Sequence, residues 1–216
     1  FWSPMPLPSR GTTPYVTRHG FGYSVFEHTE HGISSEVWVY VALDAAVKFT
    51  VMKIRNRSGR SRRLSVTGYV EWVLGDLRPK SVMHIVTEHN LPSSALFARN
   101  PYSTDFGSRT AFFNVEDATR TMCGDRTEFL GRNGTLAHPA AMARSRLSGR
   151  LGAALDPCGA IQVSFELADG EEREIVFTLG AGQDTNDAGN LAQRYRGSVA
   201  ARTALEAVWQ YWKHTL

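Results

Sequence analysis

The sequence predicts a mainly β fold: a large antiparallel β-sandwich followed by one C-terminal helix. Three observations carry that prediction. Short runs of alternating apolar residues recur along most of the chain, the period expected of half-buried strands. Turn signals separate them, among them Ser58-Gly59 and Ala168-Asp169-Gly170-Glu171. After Ala188 the apolar spacing changes to three and four, as on one face of a helix. Long connections between the runs favour a sandwich over a closed barrel.

Residues 1–14 are rich in Pro and Ser and read as an irregular arm. Residues 15–32 contain Arg18-His19-Gly20-Phe21-Gly22-Tyr23, where two glycines among aromatics suggest a bent strand or a close backbone approach. Val37, Val39, Val41 and Leu43 alternate, Asp44-Ala45 turns the chain, and Val47, Phe49 and Val51 alternate again. The phase slips before Ile54, which suggests a bulge. Residues 47–55 and 63–73 read as one long hairpin with a tip of five to seven residues. Further strands are expected at 82–88, 94–98, 109–115, 160–167 and 173–179. The last two suggest a second hairpin, with Val163, Phe165 and Leu167 meeting Ile175, Phe177 and Leu179 across the ladder. Residues 124–158 are expected to be long loops with one short helical turn. From Asn190 to about Lys213 one amphipathic helix is expected along Leu191, Tyr195, Val199, Arg202, Leu205, Val208, Trp209 and Trp212, capped between Asp184 and Asp187.

Of the 216 residues, 42% are hydrophobic and 21% charged, which excludes a mainly disordered chain. No apolar run approaches the roughly 18 residues that span a membrane. The chain opens Phe1-Trp2-Ser3-Pro4, with no initiator Met and no signal-peptide pattern, so a piece of a longer protein is expected. Formal charge is only +3, yet 20 of the 24 basic residues are Arg. The arginine fork suits carboxylate and phosphate. The one basic run, Arg55 to Arg63, contains a turn signal and reads as a solvated hairpin tip. No basic stripe or known module points to a nucleic-acid partner. Cys123 and Cys158 lack CxxC spacing and are expected to be two buried, reduced thiols.

The residues able to do chemistry form no recognisable catalytic set. The seven His, at 19, 28, 31, 84, 89, 138 and 214, match no zinc pattern, so no metal or other cofactor is expected. Spacing pairs none of Glu71, Asp76, Asp105 and Asp125 as glycosidic acid and base. Glu71 shares a strand face with Tyr69 and Val73; it either binds sugar hydroxyls or pairs with an arginine. The polar segment from Asp125 to Arg132 reads as a loop stiffened by an Asp–Arg pair, which either locks structure or presents a ligand contact. No order of Ser, His and Asp supports a nucleophile, and no catalytic residue is assigned. By these residues alone the chain is a β-rich binding or interface module.

Five ordered motifs carry a resemblance: Arg18-His19-Gly20-Phe21-Gly22-Tyr23-Ser24, Leu64-Ser65-Val66-Thr67-Gly68-Tyr69-Val70-Glu71-Trp72, Asp125-Arg126-Thr127-Glu128-Phe129-Leu130-Gly131-Arg132, Leu155-Asp156-Pro157-Cys158-Gly159-Ala160 and Leu179-Gly180-Ala181-Gly182. They resemble the N-terminal β-sandwich region of glycoside hydrolase family 94, formerly glycosyltransferase family 36, which includes cellobiose and chitobiose phosphorylases. Trp2-Ser3-Pro4 and Ala98-Arg99-Asn100-Pro101-Tyr102 are most similar to the phosphorylase-like part of cyclic β-1,2-glucan synthases.

The resemblance implies a galactose-mutarotase-like β-supersandwich over residues 1–187, truncated at its N-terminus, and a linker helix over 188–216. Beyond it would follow an (α/α)6 barrel that supplies the general acid and most of the phosphate site. Inorganic phosphate would be a substrate of the parent, attacking the anomeric carbon with inversion. The sandwich itself would be noncatalytic, shaping the substrate end and packing on the barrel. Its partners would be a β-glucan or β-glucoside, the barrel of the same chain, and a second copy in a homodimer. Arg99 is the candidate contact to the acceptor-side sugar, with Ala98 standing where the family has Gln. Arg126, His19 and Glu71 would order the sandwich–barrel interface. The fragment is expected to be soluble, its parent cytoplasmic or attached to an inner membrane. Three other classes compete: a free-standing carbohydrate-binding module, a structural dimerisation domain joined through the 191–212 face, and a mutarotase-like enzyme with His and carboxylate gathered in a concave sheet.

Overall fold

Strands form where the alternating runs lie, in a computed structural model that describes residues 1–216. They are β1 (Tyr15–Gly20), β2 (Tyr23–Glu30), β3 (Ile33–Val41), β4 (Val47–Asn56), β5 (Arg62–Glu71), β6 (Val86–Asn90), β7 (Ala95–Arg99), β8 (Thr110–Val115), β9 (Thr121–Asp125), β10 (Pro157–Leu167) and β11 (Glu172–Gly182). One antiparallel sheet has the order β1-β2-β3-β4-β11-β8-β7-β6, the other β5-β10-β9. Two short helices lie in connections, α1 (Arg78–Ser81) and α2 (Arg126–Leu130). Two more close the chain, α3 (Thr185–Arg194) and α4 (Gly197–Thr215). The expected mainly β supersandwich with a helical C-terminus is the fold that forms.

Between the sheets lie Ile54, Phe113, Ile161, Val163, Phe165, Leu167 and Phe177. Burying each such side chain stabilises the fold by roughly 1.5–3 kcal/mol. The outer face of the eight-stranded sheet is apolar as well: Tyr40, Val47, Phe49 and Val51 pack with Ala188, Ala192, Ala201 and Ala204 of the two long helices. Strand β4 is therefore covered on both sides. Val47, Phe49 and Val51 face the helices, while Met52 and Ile54 face the sandwich interior. This double burial causes the phase slip. The register of β4 against β3 and β11 is unbroken, and the expected bulge is absent.

Both expected hairpins are instead crossings between the sheets. β4 pairs with β3 and β11, whereas β5 pairs with β10. Val163, Phe165 and Leu167 do meet Ile175 and Phe177, but through the core rather than along a ladder. A turn signal between two alternating runs marks a reversal; it does not say whether the next strand pairs or changes sheet. The short β9 has no useful alternation and went unpredicted.

The expected single C-terminal helix is two. Gly197 has φ +80°, and Glu116 occupies the space a Cβ would need. The break resets the helical phase, so α4 buries Gly197, Ala201, Ala204 and Val208 and leaves Val199 exposed. Asp184 caps α3 as expected, accepting from the Asp187 N–H at 2.9 Å. Cys123 and Cys158 are free and buried. Strand directions set β1, β5, β7 and β9 ending at one end of the sandwich, with both sheet crossings, 57–61 and 168–171, at the other.

Candidate functional site

At the end where β5 and β9 finish, two polar segments meet across the start of β10. Glu71 is the last residue of β5, and Arg126 opens α2 directly after β9. Arg126 Nε donates to Glu71 Oε1 at 2.7 Å, and its Nη1 lies 3.4 Å from Asp156 Oδ2. Arg78 of α1 pairs with Asp156 and lies 3.8 Å from Glu71. The Tyr69 hydroxyl donates to Glu71 at 2.9 Å, and the Arg126 backbone N–H donates to the Asp156 carbonyl at 2.7 Å. Two guanidiniums and two carboxylates thus form one network joining α1, β5, α2 and the loop before β10. The expected Asp–Arg stiffening is real but differently paired. Asp125 caps α2 through the Thr127 N–H at 3.0 Å and pairs with Arg150 at 2.9 Å.

Burial pushes the Glu71 carboxyl up. Hydrogen bonds from Arg126 and Tyr69, with the charges of Arg126 and Arg78, outweigh it and hold Glu71 below the usual carboxylate range. The bond to Glu71 in turn raises Arg126. Burial raises the Tyr69 phenol, helped by Cys158 and Glu71. A carboxylate held ionised by two arginines is poorly suited to donate a proton near neutral pH. This arrangement ties the connecting segments to one another.

Arg99 ends β7 at the same end of the molecule. Its Nη2 lies 3.8 Å from Glu88, its Nε has no partner, and its side chain is 43% exposed. Asn100, next to it, donates to the Leu74 carbonyl at 3.0 Å and so ties the end of β7 to the connection after β5. Tyr102 stands exposed, stacked on His84 at 4.5 Å. His19 is apart from these, near the end of β1 at the opposite edge of the eight-stranded sheet. Its Nδ1 is 2.8 Å from Ser24 Oγ, and its ring meets Phe26 edge-on. The structure therefore joins Glu71 to Arg126, sets Arg99 at the same end, and separates His19. Beside His19, the residues Gly20, Phe21, Tyr23, Trp209 and Trp212 border an aromatic cleft of about 290 Å³. Gly22 there has φ +79°, and a Cβ would come within 2.6 Å of Trp212 Nε1. This is the close backbone approach the paired glycines suggested.

Sequence reasoning missed Arg78 as a member of the network. Its only local signal is Pro79, which suits the first turn of a helix and predicts α1. No three His, Cys, Asp or Glu side chains converge as metal ligands. No helix is long and apolar enough to cross a membrane.

The family model for the glycosyl hydrolase 94 supersandwich domain matches residues 1–198. The cyclic beta-(1,2)-glucan synthase NdvB of Rhizobium meliloti (strain 1021) is 33% identical over 207 residues, covering 95% of this chain and 7% of that protein. The N,N'-diacetylchitobiose phosphorylase of Vibrio furnissii is 26% identical over 210 residues, covering 92% of this chain and 25% of the enzyme. The solabiose phosphorylase of Paenibacillus borealis is 26% identical over 202 residues, covering 90% and 26%. The chain thus spans about a quarter or less of the length of these relatives. With its two-sheet sandwich and five ordered motifs, the chain belongs to the glycosyl hydrolase 94 family, as a supersandwich domain.

Proposed function

We propose that this chain is the noncatalytic sandwich unit of a larger enzyme that transfers glucosyl units to or from inorganic phosphate, or along a β-glucan. Residues 1–187 would be the sandwich and 188–216 the linker toward a catalytic barrel. The observation that carries the reading is the Glu71–Arg126–Asp156–Arg78 network. It engages Glu71 and Asp156 at the end of the sandwich where Arg99, 43% exposed and 3.8 Å from Glu88, closes β7. Arg99 would hydrogen-bond an acceptor-side sugar hydroxyl, and Arg126 and Glu71 would hold the loops against the barrel. His19 and the aromatic cleft beside it would form the second part of that interface, where the barrel would cover the exposed rings of Phe21 and Trp209. The 33% identical relative, a cyclic glucan synthase, supports a β-1,2-glucan as substrate.

The test compares the 216-residue chain with its intact parent, using β-1,2- and β-1,4-gluco-oligosaccharides with phosphate. Activity is expected only in the parent, with Arg99→Ala raising KM for the acceptor about tenfold. Turnover by the isolated chain would overturn the noncatalytic reading. An Arg99→Ala parent with unchanged rate and affinity would overturn the role of Arg99.

A further inference from the structure

Strands β6 and β9 are the free edges of the two sheets on one side of the sandwich. Residues 147–152 run between them as a strap. On the β9 side, the Leu147 N–H donates to Thr121 Oγ1 at 3.0 Å and the Gly149 N–H to the Met122 carbonyl at 2.8 Å. On the β6 side, the Thr87 N–H donates to the Gly152 carbonyl at 3.1 Å, and the Gly152 N–H returns to Thr87 Oγ1 at 3.1 Å. The strap closes the sandwich but leaves a cleft of about 230 Å³.

Nine residues line this cleft; Arg120, Arg146 and His89 are basic and none is acidic. Neighbouring carboxylates are engaged elsewhere. Glu128 takes Arg144 at 3.0 Å and Ser148 Oγ at 2.9 Å, Asp117 takes Arg173 at 2.5 Å, and Glu88 faces Arg99. Arg146 is exposed and makes no hydrogen bond or ion pair. Arg120 is half-buried, and its Nη1 donates only to main-chain carbonyls, Asp117 at 2.8 Å and Val115 at 3.5 Å. Arg120 is thus partly desolvated and makes no ion pair with a carboxylate, which leaves its charge able to take an anion. Burial and the Arg196 charge lower Arg120 from its usual range, against the opposing pull of Asp117. The cleft is smaller than the roughly 300 Å³ at which pockets for larger ligands begin.

We propose that this cleft binds a small phosphate-type oxyanion, held by Arg120, Arg146 and His89. The proposal does not rest on the enzymatic reading above. Isothermal titration of the 216-residue chain with inorganic phosphate, at fixed ionic strength against potassium chloride, tests it. Saturable binding is expected, weakened about tenfold in Arg146→Gln and weakened in His89→Gln. It should be unchanged in Arg132→Gln, which removes an exposed arginine outside the cleft. Glucose 1-phosphate distinguishes the sources: tighter binding than phosphate identifies a phosphomonoester, and equal binding identifies the free oxyanion. Phosphate heats no different from chloride would overturn the proposal. So would wild-type binding by both cleft variants.

Discussion

The two ends of the sandwich are held by different chemistry. At the crossing end, two buried side chains, Asn56 and Glu30, are held chiefly by hydrogen bonds with neutral groups. Asn56 is 0% exposed. Its Nδ2 donates to the carbonyls of Arg60 at 2.7 Å and Leu167 at 2.9 Å, and its Oδ1 accepts from the Ser58 N–H and hydroxyl. Its backbone pairs with Gly170 and Glu171, so one residue clamps both crossings. Glu30, at the same end, is buried and accepts from the Thr12 N–H and hydroxyl and from the Thr13 N–H, pinning the N-terminal arm. At the opposite end Glu71, Asp156, Arg78 and Arg126 are each about 30% exposed and held by mutual charge. A buried amide has no substitute partner when lost, whereas a half-exposed ion pair trades with water. The first end is built for stability, and the second is the one the proposed function sets against the barrel.

The largest effect should come from Asn56→Ala, which strands the buried Leu167 carbonyl, frees that of Arg60 and unlinks the crossings. A loss of about 3 kcal/mol is expected in urea unfolding. A loss under about 1 kcal/mol would erase the contrast between the ends. Acid tests the same end next. Glu30 is lowered from 4.5 to about 2, chiefly by its hydrogen bonds from Thr12 and Thr13 and by His31, against the cost of burial. Its folded pKa lies below the unfolded value, so its stabilisation is whole above about 4.5 and is lost as pH falls through about 2. Glu30→Gln should flatten stability across that window. It should also speed hydrogen exchange of the Thr12 and Thr13 amides; unaltered exchange would remove Glu30 as the anchor of the arm.

The charged end should respond less. Arg126→Ala is expected to cost about 1 kcal/mol, and a double-mutant cycle with Glu71→Gln should show coupling of about 0.5 kcal/mol. Coupling above about 2 kcal/mol would make this end as structural as the other. The smallest effect is salt. Moving from about 0.1 M to about 1 M should shrink that coupling by a few tenths of a kcal/mol and leave the Asn56→Ala loss unchanged.

Much of this was legible locally. Alternation located most strands to within a few residues, the Asp184 cap followed from residue type, and the polar density after Asp125 marked the segment that enters the ion network. Asn56, by contrast, sits in a basic run that reads as a solvated tip. Nothing near it in sequence shows that Leu167 and Gly170 will arrive beside it. Arg78 is silent for the same reason, since its partner Asp156 lies far along the chain.

By itself, then, the sequence determined which segments are extended, which are helical and which family they serve, because backbone period and motif order are properties of neighbouring residues. Only the tertiary structure decided which strands pair and which cross, where the last helix breaks and which charges meet. Pairing and crossing satisfy the same alternation, and the choice falls to whichever arrangement covers every apolar face. β4 needs cover on both sides, and Gly197 must make room for Glu116. Those demands come from residues far away in sequence, and they exist only once the two sheets and the helices have come together.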